Sequence, residues 1–234
     1  MCGIYGIIYK TKQTTNYQEI IKDTYTGLQQ LVHRGKDGFG FSWVTTHGKF
    51  YESKKFGELT RFQYSEIITY PMTQIQSCIG HTRYSTSGNS LNVKELQPLY
   101  SRIGNFQLIH NGNIPKISGH DTLWIIARIE SYLQKGYSLS DSLIQFMNKV
   151  PAAFCLILQT TDKLYICRDR YGIRPLCIAE TADSFIVSSE TIALPDSVTT
   201  CKQVLPGEII CCHETLSTIY LYTNPSPIHS QLCL

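Results

Sequence analysis

The apolar positions of the chain fall mostly into short runs of the kind that form β-strands. These runs are rich in β-branched and aromatic residues, and glycine, proline or polar side chains separate them. His47 and Gly48 lie between two such runs and predict a hairpin. The predicted strands span residues 2–9, 39–46, 49–54, 76–83, 105–110, 152–159, 163–168, 176–179, 185–188, 208–212 and 218–222.

Helical periodicity is confined to three stretches, which span residues 17–32, 122–133 and 139–147. Gly35 and Gly136 follow the first two as stop signals. Strands and helices are therefore segregated and do not alternate, which favours an α+β layered domain over a doubly wound parallel sheet. We expect this domain to cover residues 2–222 and a linker-like tail to cover 223–234.

Composition excludes several functions. Hydrophobic residues make up 42% and charged residues 17%, which is typical of a globular domain. The net charge of +3 is scattered, so no nucleic-acid surface is expected. No run reaches the roughly 18 apolar residues of a membrane span, and no secretory signal is visible, so we expect a cytoplasmic protein. The nine cysteines show no ligand spacing. We therefore expect no metal, no cofactor and no disulfide scaffold.

Cys2 is the sharpest candidate for chemistry because of its position. Removal of Met1 would leave a thiol and a free α-amine on one residue. An α-amine has a pKa near ~8, so it can take the thiol proton near neutral pH. Gly3 and Gly6 allow the backbone to approach closely beside the thiol. The alternative is that Cys2 only begins a strand.

Asn111 and Gly112 follow an apolar strand. As an Asn-Gly pair they are typical of a type I′ hairpin turn. The Asn111 amide and the Gly112 N–H can also form an oxyanion hole.

Further candidates lie at the ends of predicted strands and helices. Arg83 ends a strand and can bind a carboxylate with two parallel hydrogen bonds, with Thr86 adding a hydroxyl. Asp121 precedes a helix, where it is either a helix cap or the partner of a substrate ammonium group. Residues 33–38, HRGKDG, are explained by a glycine cap and a local ion pair.

Seven segments together resemble the class II, or N-terminal nucleophile, glutamine amidotransferases, and among them the glutaminase half of the amidophosphoribosyltransferases. The segments occur in the family's order and cover almost the whole chain. They are MCGIYGI, HRGKDGFG, GHTRYSTSG, HNGN, RDRYGIRPL, SSETIAL and LPGE.

The resemblance implies a four-layer αββα fold, with two antiparallel sheets between helices. It implies hydrolysis of L-glutamine to glutamate and ammonia, related to purine synthesis. Cys2 matches the nucleophile, Asn111 and Gly112 match the oxyanion hole, and Arg83, with Thr86 nearby, matches the site of the α-carboxylate. Asp121 matches the residue that binds the α-ammonium group.

The chain also departs from the family pattern. Asn111 and Asp121 are ten residues apart, where the family usually has about twenty or more, and Leu123 stands where relatives often carry glutamate. No acidic phosphoribosyl-pyrophosphate motif is present, and the tail resembles the start of a missing phosphoribosyltransferase domain. A separate ammonia-accepting synthase subunit is therefore one expected partner. Two alternatives stay open: a non-catalytic regulatory or assembly module, and a hydrolase of another γ-glutamyl amide.

Overall fold

The computed structural model of the chain describes residues 1–11, 18–68, 74–84, 93–115, 117 and 119–223. Within these ranges the helices are α1 (Gln18–Gln30), α2 (Tyr64–Ile67), α3 (Asp121–Leu133) and α4 (Leu139–Lys149). The strands are β1 (Gly3–Tyr9), β2 (Gly38–Thr45), β3 (Phe50–Phe56), β4 (Ile75–Arg83), β5 (Leu99–Ser101), β6 (Phe106–Asn113), β7 (Ala153–Gln159), β8 (Leu164–Arg168), β9 (Cys177–Glu180), β10 (Ser184–Ser188), β11 (Thr200–Gln203), β12 (Glu208–Cys212) and β13 (Leu216–Leu221).

The described strands form two antiparallel sheets. The first sheet has seven strands in the order β11-β9-β10-β1-β4-β2-β3. The second has six, in the order β13-β12-β8-β7-β6-β5. β1, which carries the N-terminal residues, is therefore an interior strand that pairs with β10 on one side and with β4 on the other.

The strands of both sheets are covered on two faces, which explains their continuous apolar runs. In β7, Phe154 and Leu156 contact the hydrophobic core beneath α3 and α4, whereas Cys155 and Ile157 contact the core between the sheets. This alternation follows from the two-residue period of a strand. A run that is apolar at every position is therefore the expected pattern for a strand buried on both faces.

The helices lie on the outer faces of the two sheets. α1 buries Ile20, Ile21 and Leu28 against the first sheet, in one cluster with Phe39 and Trp43. α3 and α4 pack on the outer face of the second sheet, in the cluster that contains β6 and β7. The layers therefore follow the order αββα, which confirms the predicted α+β sandwich.

Most predicted elements are present with ends shifted by one or two residues. The sequence prediction missed two strands, β5 and β11, and the short helix α2. Among the described residues the cysteines are free thiols, and five of them are buried. No helix in the described ranges is long and apolar enough to cross a membrane. The predicted tail beyond residue 223 lies outside the described residues.

Candidate active site

One end of the sandwich brings together strand ends from both sheets. β1 begins at Gly3 and β4 ends at Arg83, because their antiparallel register pairs Gly3 with Thr82. β6 of the second sheet ends beside them, and α3 begins there. A cavity of about 320 Å³ opens at this end. Four of the site residues predicted from the sequence line it, namely Cys2, Arg83, Gly112 and Asp121.

The backbone at the start of β1 is fixed by side chains from three other segments. The carbonyl oxygen of Cys2 accepts a hydrogen bond from Arg34 Nε at 3.0 Å. The next two N–H groups of the chain donate to Thr82 Oγ1 at 3.2 Å and to Ser189 Oγ at 3.0 Å. The position of Cys2 is therefore set through its backbone, by residues to which sequence reasoning assigned no catalytic role.

Arg34 is a buried cation whose partner is distant in sequence. Its side chain is 4% exposed, and its Nη1 forms an ion pair with Glu190 Oε1. The second oxygen of Glu190 lies 3.1 Å from His33 Nε2. Gly35 caps the 3-10 turn as predicted, by donating to the carbonyl of Val32. The ion pair of Arg34 is not local, because its partner Glu190 lies 156 positions away in the sequence. The sequence signal for this contact was that Arg34 and Glu190 both fall in motifs that resemble those of one family.

Cys2 lines the cavity, and its Sγ lies 4.0 Å from the carbonyl oxygen of Tyr84. Burial raises the pKa of the Cys2 thiol above its ordinary value, and the positive charges of Arg34 and Arg83 offset only part of this effect. The group is therefore mainly a protonated thiol near pH 7. Since the thiolate is the nucleophile, the reaction needs a base.

Two histidines at the cavity are poor candidates for that base. His81, on β4, and His110, on β6, both line the cavity and are almost wholly buried. Burial, with a smaller effect of neighbouring positive charge, lowers the pKa of each imidazole to about 3. An efficient general base has a pKa nearer the working pH. Both rings are therefore neutral at physiological pH.

Asn111 and Gly112 lie inside β6 and pair with Cys155 and Phe154 of β7. The type I′ turn expected for this pair is therefore wrong, and neither residue has a positive φ. A side chain at position 112 would collide with the carbonyl of Ala153 and lie 2.8 Å from the Cα of Phe154. Glycine is required here by close strand packing. Asn111 is 1% exposed, and its Nδ2 has no hydrogen-bond partner among the described residues.

Arg83 and Asp121 bring opposite charges to the cavity lining. Asp121 is the first residue of α3, and the helix cap position belongs to His120, so the cap interpretation is wrong. Asp121 Oδ2 accepts a hydrogen bond from the N–H of Ile114 at 2.9 Å, which ties the start of α3 to the end of β6. The ten-residue connection is thus long enough to bring this carboxylate to the cavity. Thr86 lies outside the described residues.

Residues 81–196 match the family model described as a glutamine amidotransferase domain, and this range includes Arg83, Asn111, Gly112 and Asp121. The chain carries a class II glutamine amidotransferase domain. The amidophosphoribosyltransferase of Methanocaldococcus jannaschii is 31% identical over 229 residues, which cover 90% of this chain and 46% of that protein. The Bacillus subtilis enzyme of the same name is 28% identical and is likewise covered to 46%. The amidotransferase domain thus spans about half the length of the curated relatives it matches.

Solved structures support the same assignment of the amidotransferase domain. The glutamine phosphoribosylpyrophosphate amidotransferase of B. subtilis, in complex with ADP and GMP, superposes with a TM-score of 0.76 at 25% identity. The match covers 95% of this chain and 50% of that one. A glutamine aminotransferase class-II domain protein from Silicibacter pomeroyi has a TM-score of 0.56 at 10% identity, and it shares the fold.

Proposed function

We propose that this domain hydrolyses L-glutamine to glutamate and ammonia, with Cys2 as an N-terminal nucleophile. One observation carries the proposal: a single cavity is lined by a thiol, a guanidinium and a carboxylate, beside a buried amide donor that lacks a partner. These groups are complementary to glutamine, which has a carboxylate, an ammonium group and an amide carbonyl that becomes an oxyanion.

In the proposed reaction Arg83 binds the α-carboxylate of glutamine and Asp121 binds its α-ammonium group, with Thr86 beside the carboxylate. The α-amine of Cys2, freed by loss of Met1, takes the thiol proton. The thiolate then attacks the amide carbon, and Asn111 Nδ2 with the Gly112 N–H stabilises the oxyanion. The protonated amine returns its proton to the leaving nitrogen, so ammonia departs and a thioester forms. Water then hydrolyses the thioester, which releases glutamate and restores the thiol.

The α-amine is the proposed base because the other nearby groups fit the role less well. The neutral imidazoles of His81 and His110 hold protons too weakly. The pKa of the Met1 amine is lowered by burial and by the charges of Arg34 and Arg174. An α-amine has an ordinary pKa near ~8, so the amine exposed on Cys2 is neutral in part near pH 7. A neutral amine is what proton transfer from the thiol requires.

The ammonia acceptor is a proposal of its own. The curated relatives are amidophosphoribosyltransferases of about twice this length. We propose that a separate synthase domain or subunit receives the ammonia. The domain limits of 2–222, the tail over 223–234, the role in purine synthesis and the cytoplasmic location stay predictions.

The test is glutamate release from glutamine by the purified chain, after mass spectrometry has established the N-terminal residue. Cys2→Ala should abolish turnover. Asn111→Ala should lower kcat by about 10²–10³, the usual loss for one oxyanion donor. Cys201→Ala is the matched control, because Cys201 is an exposed thiol that does not line the cavity. Retention of Met1 or near-normal turnover by Asn111→Ala would contradict the mechanism. A panel of γ-glutamyl amides tests the alternative substrate class.

A further inference from the structure

The ion pair between Arg34 and Glu190 lies against the one residue on which the proposed chemistry depends. Arg34 uses two nitrogens in two directions: Nε donates to the Cys2 carbonyl at 3.0 Å, and Nη1 contacts Glu190. The guanidinium is thus a bridge between Cys2 and the carboxylate. Since the fork of an arginine is planar and rigid, fixing one nitrogen fixes the direction of the other.

Glu190 is itself held firmly. It precedes the 3-10 turn Thr191–Ala193, its N–H donates to Ser188 Oγ at 3.3 Å, and its carbonyl accepts from the same hydroxyl at 2.9 Å. Partial burial opposes its ionisation, but Arg34 and His33 outweigh this and hold the pKa of Glu190 below its ordinary value. Glu190 is therefore an ionised anchor at the end of β10, the strand that pairs with β1.

We propose that Glu190 is a positioning residue for Cys2 and acts through Arg34. The inference rests on the proposed glutamine hydrolysis at Cys2. Glu190 orients the guanidinium, and the guanidinium fixes the carbonyl of Cys2. That carbonyl, together with the anchored β1 backbone, sets the directions of the Cα–N bond, which carries the amine, and of the Cα–Cβ bond, which carries the thiol.

The need for such an anchor follows from the N-terminal position. Once Met1 is removed, no peptide bond restrains Cys2 on its amino side. Nucleophile and base then lie on the same residue, and both must face the substrate in one orientation. A small misplacement of reacting groups can lower a rate by about 10²-fold. Arg34 supplies a restraint of this kind, through the hydrogen bond from its Nε to the carbonyl oxygen of Cys2.

A purely stabilising ion pair is the competing explanation, and the chain offers a matched control for it. Lys10 follows the last residue of β1, and Glu180 is the last residue of β9. Their side chains form an ion pair of 2.7 Å at the end of β1 that lies away from the cavity. Both glutamates are partly exposed, with side chains 32% accessible in Glu190 and 43% in Glu180. Glu190→Gln and Glu180→Gln therefore remove equivalent charges at opposite ends of β1.

The experiment compares kcat, KM and Tm for wild type, Glu190→Gln, Arg34→Gln, the double variant and Glu180→Gln. We expect Glu190→Gln to lower kcat by at least about tenfold while KM for glutamine stays within about twofold, the pattern of a lost orientation in the transition state. Glu180→Gln should leave both constants within about twofold. The double variant should be no slower than Arg34→Gln alone, since both changes break one chain of contacts.

Two results would overturn the proposal: an equal loss of kcat in both glutamate variants, or losses in Glu190→Gln and Arg34→Gln that multiply in the double variant. If wild type releases no glutamate, the proposed function fails, and the positioning role is decided by alkylation of Cys2. Iodoacetamide labelling followed by peptide mass spectrometry should then be slower at Cys2 in Glu190→Gln, with the exposed Cys201 as internal reference. An unchanged ratio between the two thiols would refute the positioning role.

Discussion

Mild acid should destabilise this domain at a pH above the range in which most carboxylates titrate. The cause is the pair of buried neutral histidines, His81 and His110, whose pKa values burial lowers to about 3. In the unfolded chain each imidazole has a pKa of about 6.5. Between these values the unfolded chain binds a proton at each site and the folded chain does not. Stability is therefore lost as the pH falls from about 6.5 towards 3.

The size of the effect follows from proton linkage. Each histidine contributes a slope of up to about 1.4 kcal/mol per pH unit, so the two together approach about 2.7 kcal/mol per unit. Integration from pH 7 to pH 5, with an unfolded pKa of 6.5, gives about 1.9 kcal/mol for each histidine and about 4 kcal/mol for both. This loss is large against a typical domain stability of about 5–15 kcal/mol.

Urea unfolding at closely spaced pH values between 5.0 and 6.5 measures this slope directly. His110→Gln should reduce the slope by about half, whatever its effect on stability at pH 7. His47→Gln is the control, because His47 is exposed in the loop between β2 and β3 and should leave the slope unchanged. A wild-type slope below about 0.5 kcal/mol per unit, or an equal slope in His110→Gln, would refute the reasoning.

Two substitutions test packing and capping. Gly35→Ala should destabilise the protein by about 1–3 kcal/mol in urea unfolding, because the added Cβ would lie 2.6 Å from the backbone carbonyl carbon of Arg83. An unchanged urea midpoint would contradict this prediction. Ser138→Ala should cost about 1 kcal/mol in the same assay, because Ser138 Oγ caps α4 by accepting from the Asp141 N–H at 3.1 Å. An unchanged unfolding midpoint would contradict the cap.

The fold was predictable where burial on both faces leaves a continuous apolar run. β7 and β8 are examples, since every described position of β8 is buried. β11 was missed because its four residues are all exposed and carry no apolar pattern. It is a strand only because β9 offers it an edge to pair with. β5 has three residues and likewise depends on its neighbour β6. Pairing of this kind depends on distant contacts, which local sequence patterns do not contain.

Local rules gave the wrong structure at several site residues. Asn111 and Gly112 are typical turn residues, yet they extend β6 because β7 supplies partners up to Asn113. Aspartate is a residue type that often caps helices, yet the carboxylate of Asp121 accepts a hydrogen bond from the N–H of Ile114, just after β6. In each case a tertiary contact overrides a local preference. The family motifs pointed to these residues, but they did not supply the geometry.

The location of the site follows from the topology of the first sheet. A nucleophile placed just before an interior strand has, on both sides, antiparallel neighbours that end where its own strand begins. For β1 these neighbours are β4 and β10. The residues that follow or end them, Arg83 on one side and Glu190 on the other, are thereby brought to Cys2 from opposite directions. Residues that contribute to the site around Cys2 are therefore expected at the carboxyl ends of the strands that pair with β1. Arg83 was predicted from its sequence motif, whereas the role of Glu190 follows from its position in the fold.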